Sequence, residues 1–322
     1  MPTITDFADQ FMKALRRNDV EALGRLARTY KVLYDGLTDK LDAYLLALSK
    51  LESPTKGQVF RLAQYRNLLK AVEAELSKYS AYVEFEIRAG AEKNADLALR
   101  MTQKYLGSLG YSLPKSLPAN TFVAMLGYLQ EGSPLWDRLE MLSKTHAMKL
   151  ADALLEGEAL GYSPIKVART LQTIMGGGLT DAMRMTRTTM LYASREASRS
   201  VYLANSDIVE GWVWHAALDS TTCVACLAMH GTKHSLDERM DSHYNCRCTS
   251  LPIVKGYDDV YQTGEEWFSQ LAEAQQRQVL GQGAWQAWKD GKFKFSELAG
   301  RRHDDVFGEM LSRVPLSELI EG

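Results

Sequence analysis

The sequence predicts an α+β protein, predominantly α-helical, with a long helical N-terminal region, a small Cys-rich β-containing module and a short helical tail. Three observations predict it. Apolar residues recur at helical spacing through the first half. Two strand-like segments flank a cluster that holds all four cysteines. A capped amphipathic run follows them. Of the 322 residues 46% are hydrophobic and 24% charged, which excludes a disordered chain and suits about two or three folding units. The divisions drawn are an elongated helical region at 1–110, a helical bundle at 111–207, the Cys/His-rich module at 208–256 and the tail at 257–322.

From Asp6 to about Tyr30, Phe7, Phe11, Leu15, Leu23 and Leu26 share a helical face. A second set, Leu33, Leu37, Leu41, Tyr44, Leu45 and Leu48, stops before Ser53-Pro54. A third run, from about Lys56 to Leu106, carries Val59, Leu62, Tyr65, Leu69, Val72, Leu76, Tyr79 and Val83 as one buried stripe. Such runs predict an antiparallel bundle, either a strut for docking or an ordinary helical domain. Gly107, Gly110, Pro114 and Pro118 mark a boundary. Helices resume at about 120–130 and 135–160. Ser163-Pro164 reads as an N-cap followed by a first-turn proline. That helix is expected to end at Gly176-Gly177-Gly178, with Thr180 capping the next as far as about Asn205.

On this last helix Arg184, Arg187, Arg195 and Arg199 fall within a sector of roughly 120° at about 100° per residue. Small residues, among them Thr186, Thr189, Ala193 and Ala197, occupy the opposite side. The stripe reads as a solvated charged face, or as a grip for carboxylates or phosphates. A net charge of −2 excludes a polycation that coats nucleic acid, so any such contact is local. No stretch approaches the roughly 18–20 apolar residues that span a bilayer. The start, Met1-Pro2-Thr3-Ile4-Thr5-Asp6, lacks the layout of a secretory signal. The expected compartment is a reducing cytoplasm, where thiols stay free or bind metal.

The cysteines carry the chemistry. Trp212-Val213-Trp214-His215-Ala216 alternates like a strand, and Leu251-Pro252-Ile253-Val254 is its apolar counterpart. Between them lie Cys223-Val224-Ala225-Cys226, Met229-His230-Gly231 and His243-Tyr244-Asn245-Cys246-Arg247-Cys248. Two thiol pairs at this separation suit a tetrahedral zinc ion. The preferred ligands are Cys223, Cys226, Cys246 and Cys248, with a turn bringing the second pair inward and His243 or His230 as substitute. A metal-free thiol-lined core and disulfides are the alternatives. A four-ligand site leaves no open position, so zinc here is a structural staple.

No enzyme is expected. Four clustered thiols compete for any base, and no Gly-rich phosphate loop or nucleophile elbow occurs. The alternative is a metal-dependent nuclease using the His/Asp-rich loop 230–243, with His230, His234, Asp237, Asp241 and His243. That chemistry needs a following helix with further ligands, whereas an apolar strand and Gly256-Tyr257-Asp258-Asp259 follow. His146 and His303 stand isolated. In the tail, Glu265–Leu280 reads as one amphipathic helix stopped by Gly281, Trp285 and Trp288 anchor the next turn, and Ser296 caps a final helix.

The segment Asp219-Ser220-Thr221-Thr222-Cys223-Val224-Ala225-Cys226, then His230-Gly231, then His243-Tyr244-Asn245-Cys246-Arg247-Cys248, resembles the signature of the Mu F-like minor head proteins of tailed bacteriophages. In that family Asp-x-x-Thr-Cys-x-x-Cys precedes His-Pro-Asn-Cys-Arg-Cys. Gly211-Trp212-Val213-Trp214 and Arg187-Thr188-Thr189 resemble its lead-in, so the likeness covers about residues 180–255. Tyr244 stands where proline is common, and His230 where an acidic residue often precedes the glycine. The resemblance implies a structural minor capsid component of the virion head near the portal vertex, made in the host cytoplasm. It implies the portal and the major capsid or scaffolding protein as partners, and no membrane in the mature head. Head morphogenesis, and genome packaging or ejection, are the implied roles. The Arg184–Arg199 face would then meet a partner or packaged double-stranded DNA.

Overall fold

Helix α1 (Ile4–Leu48) begins where Thr3 and Asp6 cap one another. The Asp6 N–H donates to Thr3 Oγ1 at 3.1 Å, and the Thr3 N–H donates to Asp6 Oδ2 at 3.0 Å. In this computed structural model, which describes residues 3–48, 50–51, 55–111, 118–124, 126–159, 164–219, 221–257 and 261–321, α1 is one helix. The two apolar sets that the sequence separates join because nothing between Tyr30 and Leu33 breaks the period.

The third run is divided once. Thr55 and Gln58 form a capping box for α2 (Lys56–Arg61), Leu62 is extended, and α3 (Ala63–Ser108) continues. Short α4 (Ala119–Ala124) and a 3₁₀ turn (Gly127–Leu129) occupy the stretch expected as a single helix, and α5 (Pro134–Ala159) follows. The break expected at Gly176-Gly177-Gly178 does not occur, for α6 runs unbroken from Pro164 to Ala204. Thr180 is no cap, since its Oγ1 donates to the Gly176 carbonyl one turn back at 3.0 Å. Burial of Met175, Ala182 and Met185 on either side offsets the helix penalty of the glycines. Gly178 also admits the His146 ring of α5, whose Cδ2 would sit 3.2 Å from an added Cβ. The expected cap at Ser163 and the breaks at Ser53-Pro54 and Pro114 lie outside the described residues.

The chain divides into two compact units, Asp19–Gly90 with Glu131–Arg187, and Met1–Asn18 with Ala91–Gln130 and Thr188–Gly322. Helices α1, α3 and α6 each supply residues to both.

The first of these units is helical. Leu26, Leu33, Tyr44, Tyr65, Val72 and Leu76 are buried along its stripes. Tyr30 meets Tyr79 edge-on at 4.8 Å, and its hydroxyl donates to the Met175 carbonyl at 2.6 Å. The buried carboxylate of Glu86 accepts two bonds of 2.8 Å from Arg25 and one of 2.7 Å from the Tyr82 hydroxyl.

The other unit carries the strands. Strand β1 (Val209–His215) is central, with β2 (Lys233–Ser235) and β3 (Thr249–Val254) antiparallel on its two sides. Trp212 pairs with His234 on one side and Pro252 on the other, and the proline sits on an edge strand, where its missing N–H costs nothing. Helix α7 (Val224–Met229) turns Val224, Leu227 and Ala228 into a core shared with Phe268, Leu280, Trp285, Phe293, Phe295 and Leu298.

The tail departs from expectation twice. Its first helix is split into α8 (Gly264–Ser269) and α9 (Glu273–Leu280), bridged by buried Gln276, whose Nε2 donates to the Phe268 and Leu271 carbonyls at 3.1 and 3.0 Å. Gly281, with φ of 83°, ends α9, and α10 (Gln282–Lys289) carries both tryptophans. Ser296 does not start a helix. It lies in a 3₁₀ turn (Phe295–Leu298) that leads into a hairpin of β4 (Ala299–Asp304) and β5 (Gly308–Arg313) before α11 (Leu316–Glu321). Arg301-Arg302-His303 on β4 are exposed, so no apolar alternation announces the hairpin.

Candidate metal centre

The site is built from two loops. The first leaves β1 and reaches α7. Asp219 Oδ1 accepts from the Thr221 N–H at 2.9 Å, and the Asp219 N–H donates to Thr222 Oγ1 at 3.0 Å, which folds the segment back on itself. Cys223 is then the N-cap of α7, its sulfur accepting from the Cys226 N–H at 3.3 Å. One helical turn therefore delivers Cys223 and Cys226 to the same side.

The second loop is a turn closed by the Cys246 N–H donating to the His243 carbonyl at 3.1 Å. Asn245 adopts φ of 61°, a left-handed conformation that asparagine tolerates, and its N–H donates to Thr188 Oγ1 at 3.0 Å. Tyr244 takes the second position, which also suits proline, and its hydroxyl donates to Asp304 at 2.8 Å. The turn comes before the Cys-x-Cys pair rather than between its members. Side chains two apart share a face of an extended segment, so Cys246 and Cys248 point together while Arg247 points away. Arg247 reaches Asp219, donating from both terminal nitrogens at 2.7 and 2.6 Å, and also contacts Thr221. This bidentate clamp fastens the second loop to the first. Bonding to Arg247, then to Thr221, holds the Asp219 carboxyl below the usual carboxylate range against the opposing pull of burial.

Five donor side chains converge. Cys223, Cys226 and His243 form one group, and Cys226, Cys246 and Cys248 another, the donor atoms within each lying within 4.8 Å of one another. His243 Nε2 is 2.9 Å from the Cys223 sulfur and 3.1 Å from that of Cys226, which stands 3.5 Å from the sulfur of Cys246. A tetrahedral zinc ion requires S···S separations of about 3.8 Å and S···N separations of about 3.6 Å. Spreading the donors by about half an ångström meets that geometry, so the residues fit a metal ion. All four cysteines are free, and the 3.5 Å gap is far beyond the roughly 2.05 Å of a disulfide.

Bonding within the cluster divides the charge among its donors, for bonds to Cys223 and Cys246 push the Cys226 thiol up while the Cys223 thiol falls. His243 Nδ1 donates to the Tyr244 carbonyl at 2.7 Å, which leaves Nε2 to face the sulfurs. Bonding to Cys226, and then to His243, lowers the Cys223 thiol to about 5 although burial opposes it. Burial works against a charged His243, yet hydrogen bonds to Cys223 and Cys246 raise it to about 10. Without metal the pair is a thiolate and an imidazolium, and a soft metal ion that takes both donors displaces the ring proton.

His230 does not join them, because it is spent on the backbone. Its Nδ1 accepts from the Ala216 N–H at 3.0 Å, and its carbonyl accepts from the Gly264 N–H at 2.9 Å. Burial, then the neighbouring His215, lowers it to about 4. The glycine after it has φ of 80°, and a Cβ there would lie 2.7 Å from the Gln262 carbonyl, so the His-Gly pair seats the 262–264 segment. Other members of the 230–243 loop are engaged elsewhere. His234 stacks on Trp212 at 4.1 Å and pairs with Glu238, while Asp241 pairs with Arg301 at 3.2 Å.

The four arginines do not share one open face. Arg184 is 48% exposed and paired with Asp181, and Arg187 pairs with Asp19 at 3.3 Å. Arg199 donates to the Leu236 and Asp237 carbonyls at 3.1 Å each. Arg195 is 3% exposed and turned into the cysteine loop. A helical wheel cannot tell which sector a later loop covers. Sequence reasoning gave no bracing role to Arg247, Asp219 and Thr188, and two signals pointed to the first two: an arginine inside the Cys-x-Cys pair and an aspartate heading the first motif.

Comparison with known proteins comes to one finding. Residues 147–251, from within α5 to β3, match the family model of Phage Mu protein F like protein, which supports a Mu F-like assignment. No curated protein and no solved structure matches the chain.

Proposed function

From that Mu F-like match, we propose that the chain is a minor head protein of a tailed bacteriophage, a structural and non-catalytic component that assists head morphogenesis. It resides in the virion head near the portal vertex, after synthesis in the host cytoplasm. Its partners are the portal and the major capsid or scaffolding protein, and it serves genome packaging or ejection. The observation that carries this reading is the coincidence of the family match with a module whose polar groups are spent on cross-bracing. Helices α1, α3 and α6 are long, and among the described residues no helix is long and apolar enough to cross a membrane. Arg184 is the arginine of the stripe left most open to a partner or to packaged double-stranded DNA.

The zinc ligands in this reading are Cys223, Cys226, Cys246 and Cys248, with His243 close enough to replace one. Zinc would supply a cross-link between α7 and the 243–248 turn, and a closed shell leaves no site for water. A nuclease is disfavoured because His230, His234 and Asp241 point to separate partners. The test is mass spectrometry of purified heads, alongside deletion of the gene. The expected result is the chain in few copies per head and a fall in infectious particles. Heads that lack the chain at every stage would overturn the proposal, as would DNA cleavage in Mg²⁺ or Mn²⁺ that is lost on His243→Ala.

A further inference from the structure

Arg195 is the buried charge that the fold leaves unexplained. It is 3% exposed, yet every acceptor it bonds is neutral. Nε donates to the Cys248 carbonyl at 3.0 Å, Nη2 to the Cys246 and Cys248 carbonyls at 2.7 and 2.9 Å, and Nη1 to Ser242 Oγ at 2.5 Å. The Tyr192 ring lies 5.5 Å away, and its hydroxyl donates to the Ser242 carbonyl. Carboxylates on the neighbouring elements are committed elsewhere, Glu196 to Arg239 at 3.0 Å and Asp241 to Arg301 at 3.2 Å. A guanidinium taken from water is costly unless an opposite charge compensates it. The group of matching sign beside it is the cysteine cluster, for a divalent ion held by three or four thiolates keeps a net negative charge.

Resting on the zinc reading above, we infer that Arg195 is a positioning residue for the metal and the buried counter-charge of its thiolates. Its planar fork holds both carbonyls of the Cys-x-Cys pair at once, which fixes the backbone from which Cys246 and Cys248 project. The same bonds tie the second ligand loop to α6, an element outside both ligand loops. Lysine brings the charge but not the fork, so the two contributions separate experimentally.

The test uses the full chain, loaded with zinc and separately with cobalt(II), and compares wild type with Arg195→Met, Arg195→Lys and Arg199→Met. Metal transfer to a chromogenic chelator is timed, and the cobalt d–d and thiolate charge-transfer bands are recorded, with circular dichroism checking the fold. Arg195→Met is expected to lose metal affinity by about 10–100-fold and to release it correspondingly faster, with altered cobalt bands. Arg195→Lys is expected to fall between it and wild type, and Arg199→Met to match wild type. Should Arg195→Met not fold, Arg195→Lys carries the test. Wild-type release and spectra in the Arg195 variants would overturn the inference, as would equal acceleration by Arg199→Met. A wild-type chain that binds neither metal would instead overturn the zinc reading.

Discussion

Asp219 and Arg247 stand 28 residues apart, yet their clamp is the contact that makes two motifs one site. A double-mutant cycle of Asp219→Ala and Arg247→Ala, at saturating zinc, measures it. Two unit charges about 4 Å apart attract by about 4 kcal/mol at an effective dielectric of about 20. The side chains are 39% and 27% exposed, so solvent screening and the cost of ordering the arginine reduce that figure. The bidentate geometry keeps it above an ordinary surface pair, and the expected coupling is about 1–2 kcal/mol. The cycle cancels what Asp219 alone contributes to Thr221. Each kcal/mol moves the midpoint of a domain of 150–250 residues by about 2–4 °C. Denaturant unfolding followed by tryptophan fluorescence reports it. The carboxyl titrates below its unfolded value of about 3.9, so the coupling is full above that pH and is lost as pH falls through the depressed native value. Coupling under about 0.3 kcal/mol at neutral pH would refute the clamp.

Three further outcomes follow from single side chains. Gly264→Ala places a Cβ 1.7 Å from the Leu227 carbonyl and is expected to cost about 3 kcal/mol or more, read as a lower midpoint. Gly176→Ala meets nothing within 4 Å in the middle of α6, so it is expected to stabilise by about 0.5–1 kcal/mol, and a loss would contradict an unbroken helix there. His230 is held neutral with its value at about 4 against 6.5 unfolded, so its contribution is full above about 6.5 and fades as pH falls towards 4. That contribution is at most about 3 kcal/mol, and His230→Asn, which keeps an acceptor for Ala216, is expected to flatten stability against pH over that window.

The long helices were legible because an apolar period acts locally, and strands β1 and β3 because their residues alternate or run apolar. Gly176-Gly177-Gly178 misled because its helix penalty is local, whereas what offsets it is tertiary: buried Met175 and Ala182 and the ring of His146. The β4–β5 hairpin escaped because its exposed arginines and histidine carry no alternating pattern. At the site, residue types and spacing pointed to the cysteines and His243. The division of labour between the two histidines was not legible, since it depends on Ala216 and Tyr244 backbone groups that a motif does not display. Arg195 was legible as a charge but not as a buried one, because the loop that covers it lies 47 to 53 residues onward.

What matters most is whether the converging sulfurs hold a metal, and elemental analysis of the purified full chain measures that directly. About one zinc per chain is expected, lost on Cys226→Ser, whose thiol belongs to both donor groups, with chelator lowering the melting temperature of the wild type. A metal-free chain that melts at the same temperature with and without chelator would contradict it.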